Sequence, residues 1–68
     1  MSVTVTANGR SVTLADGAAV TDLLDQLGWS NRTVAVEHNG EALIRSEHPT
    51  TSLRDGDTLE IVKAVAGG

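Results

Sequence analysis

The dipeptide Asn-Gly occurs twice in this chain, at Asn8-Gly9 and Asn39-Gly40, each time between short apolar-rich segments. No other feature constrains the fold as strongly. Asn-Gly supplies two consecutive residues able to adopt positive φ, which a two-residue hairpin turn requires. Such a turn also fixes the register of the strands it joins. Before the first turn, Val3-Thr4-Val5-Thr6-Ala7 alternates apolar and polar residues; after it, Ser11-Val12-Thr13-Leu14 does the same. The register sets Ala7 opposite Arg10, Val5 opposite Val12 and Val3 opposite Leu14. The large apolar pairs then share one face, and Thr4, Thr6 and Thr13 share the other. At the second turn, Thr33-Val34-Ala35-Val36-Glu37 reads as a third strand, with Val36 opposite Leu43 and Glu37 opposite Ala42.

Asp16-Gly17 breaks the first hairpin. Val20, Leu23, Leu24 and Leu27 follow at the i, i+3, i+4, i+7 spacing of an amphipathic helix. Ala19 is the expected N-cap, and alanine caps poorly. Asp22 lies near the positive end of the helix dipole, Gly28 is a good stop, and Trp29 reads as a lid over the helix end. Ser46 to Thr51, with the sole proline Pro49, is expected to be irregular. Leu53 reads as an apolar anchor, Asp55-Gly56-Asp57 as a turn, and Thr58 to Val65 as a last strand. On that strand Leu59 and Ile61 face one way, Glu60 and Val62 the other. The order β-β-α-β-β-β predicts an α+β domain in which one helix covers one face of a sheet. That face carries Val3, Val5, Val12, Leu14, Val34, Val36, Leu59 and Ile61. Residues 1–65 form the expected domain, and 66–68 a flexible Gly-Gly tail.

A domain of 68 residues buries only about 60% of its unfolded surface and has no room for a deep catalytic cleft. Without cysteine it has no disulfide, thiolate metal site or thiol nucleophile. The net charge of −4 disfavours nucleic acid, which demands a basic surface, and suits a partner with a basic docking surface. No membrane-length apolar run or signal peptide is evident, so the chain is expected to be cytoplasmic. Asn31-Arg32-Thr33 matches a glycosylation acceptor, which has no meaning without secretion. His38 and His48 lack metal-ligand spacing and read as surface residues. Asp55, Asp57 and Glu60 read as solvated carboxylates.

The strand order, the run Leu53-Arg54-Asp55-Gly56-Asp57 before the last strand, and the closing Gly67-Gly68 together resemble the ubiquitin-like β-grasp fold. More narrowly, the whole chain is similar to the sulfur carriers of thiamine and molybdopterin biosynthesis. The shortness of the chain favours the thiamine branch. So do Val34-Ala35-Val36-Glu37 with Asn39-Gly40-Glu41, the run from Leu59 to Gly68, and the single aromatic residue. The resemblance implies a mixed sheet of about five strands, the last central and parallel to the first. It implies that an E1-like adenylyltransferase, using its own ATP and Mg²⁺, activates the terminal carboxylate. A sulfurtransferase or other persulfide donor then supplies sulfur, and the resulting thiocarboxylate delivers it to thiazole synthase. Gly68 would bear the sulfur. Gly67 and Ala66, lacking bulk, would give clearance in a partner's tunnel. Val62 and Ala64, on the outer face beside the tail, are docking candidates together with Glu60. The chain itself would bind no cofactor or metal, act as a cosubstrate rather than an enzyme, and be a monomer when free.

Glycine usage near 7% makes a chance Gly-Gly at a given place roughly 0.5%, so a frayed end is the weaker reading of residues 67 and 68. Arg54 and Lys63 also lie near the tail and carry no assigned role. Three alternatives remain at this level. One is a carrier for another product, such as molybdopterin, cysteine or a secondary metabolite. Another is a ubiquitin-like modifier that forms isopeptide bonds. The last is a plain interaction module.

Overall fold

Both Asn-Gly turns form as their sequence demands. Asn8 and Gly9 take φ of 52° and 79°, and Asn39 and Gly40 take 51° and 86°. In the computed structural model, which describes residues 1–29 and 33–63, β1 (Ser2–Ala7) and β2 (Arg10–Ala15) form the first hairpin. Their partners include Val3↔Leu14, Val5↔Val12 and Ala7↔Arg10. The second hairpin joins β3 (Val34–His38) to β4 (Glu41–Leu43), with Val36↔Leu43 and Glu37↔Ala42. β5 (Thr58–Lys63) completes a five-stranded sheet in the order β2-β1-β5-β3-β4. It runs parallel to β1 and antiparallel to β3. This is the mixed sheet, with its last strand central, that the β-grasp resemblance implied. Asn31 and Arg32 of the acceptor triplet lie outside the described residues.

Helix α1 (Val20–Gln26) covers one face. Val20, Leu23 and Leu24 enter a core that also holds Val3, Val5, Leu14, Val36, Leu53, Leu59 and Ile61. Leu23, Leu59, Val5 and Val20 are fully buried, each contributing roughly 1.5–3 kcal/mol by leaving water. Leu27 departs from the expected stripe: it is the C-cap and 38% exposed. The helix proper ends at Gln26, one residue before Leu27, because Gly28, at φ +83°, closes it. Trp29 N–H donates to Leu24 O at 2.8 Å and Gly28 N–H to Asp25 O at 3.1 Å, the pair of hydrogen bonds of a Schellman stop. Trp29 then packs half-buried against the core, as a lid should. Val12 and Val34, expected inside, are half-buried, because they lie toward the edges of the inner face.

Ala19 is the N-cap and has no side-chain acceptor, yet the helix start is satisfied. Val20 N–H donates to Thr51 O at 3.1 Å and Thr21 N–H to His48 O at 3.3 Å. The Asp22 carboxylate turns back to accept from Ala19 N–H at 2.8 Å. The segment between β4 and β5 supplies those carbonyls. It contains a short 3₁₀ turn at Arg45–Glu47 where irregular chain was expected to begin. The anchor Leu53 is 3% exposed, and its N–H donates to Ala18 O at 2.8 Å.

Candidate functional site

β5 is the strand that leads toward residues 64–68, so its attachment decides how that end of the chain is presented. Leu59 and Ile61 are buried, while Glu60 and Val62 stand on the opposite, open face. β5 pairs with β3 from Leu59 to its end, His38↔Leu59 through Val34↔Lys63. On its other flank the β1 ladder stops at Ala7↔Leu59, where β1 turns away into its hairpin.

Asn8 continues that ladder. Its N–H donates to Leu59 O at 2.9 Å. Beyond this its side chain acts as a strand residue would: Nδ2 donates to Ile61 O at 2.9 Å, and Ile61 N–H donates to Oδ1 at 2.7 Å. Asn39, the equivalent residue of the second turn, holds the beginning of β5. Its N–H donates to Thr58 O at 2.8 Å, and Thr58 N–H donates to its Oδ1 at 2.9 Å. The two asparagines thus grip opposite ends of one strand. Sequence reasoning assigned them a turn only; their choice over Asp or Gly was the faint available signal.

Asp57 is not the solvated carboxylate expected. It is 12% exposed and accepts from His38 Nε2 at 2.8 Å, from Asn39 Nδ2 at 3.1 Å and from Arg54 N–H at 2.9 Å. Burial, the largest single influence, opposes its ionisation. The bonds from His38, the Arg54 backbone and Asn39, with the charge of His38, together outweigh burial and hold its carboxyl below the ordinary value. Asp55 likewise accepts from Thr4 N–H at 2.7 Å. His38 is therefore a half-buried partner of Asp57 rather than a free surface residue. His48 is a plainer correction: it is 5% exposed, and its Nε2 has no hydrogen-bond partner among the described residues. The fold of the β4–β5 segment beneath the helix start buries it, which no local sequence signal reveals.

Of the expected docking residues, Val62 is 58% exposed and Glu60 exposed. They line a shallow hollow of about 140 Å³ with Ala35, Glu37 and Ala42. Glu60 stands directly opposite Glu37 in the ladder. Ala64, Ala66, Gly67 and Gly68 lie outside the described residues, as does the boundary expected at residues 65 and 66. Among the described residues no group of three or more His, Cys, Asp or Glu is arranged to hold a metal ion, and no helix is long and apolar enough to cross a membrane. Two larger hollows lie elsewhere. One is beside Arg45, His48 and Pro49; the other is beneath the first hairpin, near Val12 and Leu27. Neither adjoins Val62 or Glu60.

Comparisons with known proteins converge on one family. The ThiS family model matches residues 3–68. The chain is 38% identical over 53 residues to the sulfur carrier protein ThiS of Thermus thermophilus, covering 78% of this chain and 83% of that one. It is also 39% identical over 61 residues to a thiazole synthase of Paramagnetospirillum magneticum. That match takes in 90% of this chain but spans only 19% of the synthase's length. The crystal structure of a thiamine biosynthesis protein (ThiS) from Geobacter metallireducens superposes with a TM-score of 0.80 at 36% identity. It covers 97% of this chain and 100% of that one. A solution structure of a thiamine biosynthesis protein from the same organism gives a TM-score of 0.75 at 36% identity, over 97% and 88% of the two chains. With its sheet order, its central last strand and its full-length match in agreement, the chain belongs to the ThiS family.

Proposed function

We propose that the α-carboxylate of Gly68 is the group on which this ThiS-family sulfur carrier bears its sulfur. The supporting observation is the family match, which runs through Gly67-Gly68 and continues directly from the central strand β5. In this reading a carboxylate oxygen attacks the α-phosphorus of ATP on an E1-like adenylyltransferase, and pyrophosphate leaves. A persulfide sulfur then displaces AMP from the acyl carbon, and a thiol reduces the acyl disulfide to the thiocarboxylate. Mg²⁺ and ATP belong to the activating enzyme. The chain is a cosubstrate: its described residues offer a rigid base for the tail. Thiazole synthase is the proposed acceptor, supported by the synthase that contains a segment 39% identical to this chain.

Val62, Glu60 and Ala64 are proposed as docking residues. Exposed Val62 offers apolar area beside the tail. Glu60 and Glu37 are like charges directly opposed, a cross-strand pair that destabilises the free protein and that a cationic side chain of a partner would relieve. Clearance at Gly67 and Ala66 completes the reading.

Intact-mass spectrometry after incubation with the adenylating enzyme, ATP and a persulfide donor tests it. The expected result is a mass gain equal to one oxygen replaced by sulfur, absent when Gly68 is deleted. An unchanged mass with an active partner would overturn the assignment of Gly68. Higher-mass protein conjugates in its place would indicate a modifier.

A further inference from the structure

We infer that Asn8 is a positioning residue for the carboxylate-bearing tail, an inference that rests on the proposed role of Gly68. β5 is held asymmetrically. Toward its end the strand keeps β3 on one side, through Ala35↔Val62 and Val34↔Lys63. On the other side its last backbone-paired residue is Leu59, because β1 has entered its turn. A strand held along one flank only is free to twist away from the sheet. The Asn8 carboxamide restores the missing flank with one donor and one acceptor, both spent on Ile61 at 2.9 and 2.7 Å. Ile61 lies two residues before Lys63, the last described residue of this strand, and among the described residues the Asn8 amide makes the last hydrogen bonds to β5 on the β1 side.

The turn alone does not require this amide. Positive φ at the first turn position is met by Gly, Asp or Asn, and Gly satisfies it at no steric cost. Asn can also reach Ile61 with a donor and an acceptor at once. Asp would keep the acceptor for Ile61 N–H but set a carboxylate oxygen against Ile61 O. Fixing the strand end from which a segment enters a partner lowers the ordering cost at the moment of insertion. Where insertion follows docking at Val62 and Glu60, the benefit falls on the turnover of bound carrier.

Asn39 provides the internal control. It occupies the same place in the other Asn-Gly turn and uses its amide in the same way, on Thr58 and Asp57, but at the end of β5 remote from the tail. Asn8→Gly and Asn39→Gly each keep a residue suited to the turn and remove one carboxamide. Both variants loosen β5, but only Asn8→Gly does so at the end that leads to residues 64–68.

The experiment compares wild type, N8G and N39G as substrates in ATP–pyrophosphate exchange by the adenylating enzyme, alongside amide hydrogen exchange of each free protein. For N8G the expected kcat is lower by about fivefold, the equivalent of about 1 kcal/mol for the two bonds lost together, at 1.4 kcal/mol per factor of ten. KM should stay within about twofold, since the hydrogen bonds lost lie outside the proposed docking residues. The Ile61 amide should exchange faster in N8G than in N39G. N39G should keep the wild-type kcat. Equal kcat losses in both variants, a wild-type kcat in N8G, or an unchanged Ile61 exchange rate would each overturn the inference. If N8G does not fold, N8D keeps the turn and one of the two bonds, and a wild-type kcat there would overturn it as well. Failure of the wild-type protein to be activated would count against the role of Gly68; Ile61 exchange would still report whether the amide holds the strand end.

Discussion

Asp57 and His48 show what an individual residue conceals in a sequence. Both read as surface groups, and both are largely buried. Asp57 has its acceptors filled by His38, Asn39 and Arg54, whereas His48 Nε2 has no partner among the described residues. An ionised carboxylate only accepts, so His38 donates from Nε2. The depressed carboxyl of Asp57 has a consequence for pH. The unfolded chain takes up this proton near the ordinary value of about 3.9; the folded chain resists until lower pH. The stability it confers is therefore complete above about pH 5 and is lost as pH falls through the folded value. Asp57→Asn should be less stable than wild type at pH 7, with the gap closing below about pH 4. Urea titrations between pH 7 and 2.5 measure this, and a gap that stays constant would show that Asp57 does not carry the acid sensitivity. Arg54 is only three residues from Asp57, but His38 and Asn39 reach it from the second hairpin, 19 and 18 residues away, a pairing that the local sequence does not reveal; nor does it reveal the burial of His48.

At the scale of elements, legibility follows the range of the interactions. The hairpins were readable because Asn-Gly and two-residue alternation act over a few residues, and their register came out residue for residue. The helix was readable from its apolar spacing, and its stop from Gly28. Its last position, Leu27, was misjudged because a Schellman closure ends the helix geometrically, whatever the apolar pattern. The start of α1 fell at Ala19, as expected, and the alanine side chain caps nothing; what the sequence did not show is that Thr51 O, His48 O and Ala19 O accept from Val20, Thr21 and Asp22 in its place. A serine N-cap usually gains about 0.5–2 kcal/mol over alanine. Ala19→Ser should here gain less than about 0.5 kcal/mol, since the donors it would serve are occupied. Thermal unfolding decides the matter: a gain of a full kcal/mol would mean the loop carbonyls are poor substitutes.

For the molecule as a whole, periodicity gave the layers but not the placement of strands. That β5 lies between β1 and β3 was implied only by the resemblance, since nothing in the alternation of Thr58–Lys63 distinguishes a central strand from an edge. The geometry makes Leu59, 1% exposed, the keystone of a thin core. A buried Leu→Ala change costs about 2–5 kcal/mol, while a chain of this length has a total of roughly 3–10 kcal/mol. Leu59→Ala should therefore lower Tm by about 10 °C or more. A shift of only a few degrees in a calorimetric scan would mean that the core collapses around the gap. The docking proposal is legible at this scale too: Val62 and Glu60 are exposed because the helix covers only the other face.

The parallel pairing of β1 with β5 also governs how the protein bears load. Drawing the end of β5 outward, as a tunnel closing on residues 64–68 would do, applies tension along the strand axis. The bonds to β3, Asn8 and β1 lie across that axis, so they are strained in shear and share the force together. Peeling, in which bonds break one after another, would demand a pull sideways. If the proposed role of Gly68 holds, a chain built in this way would withstand a pull on that end without unravelling from it.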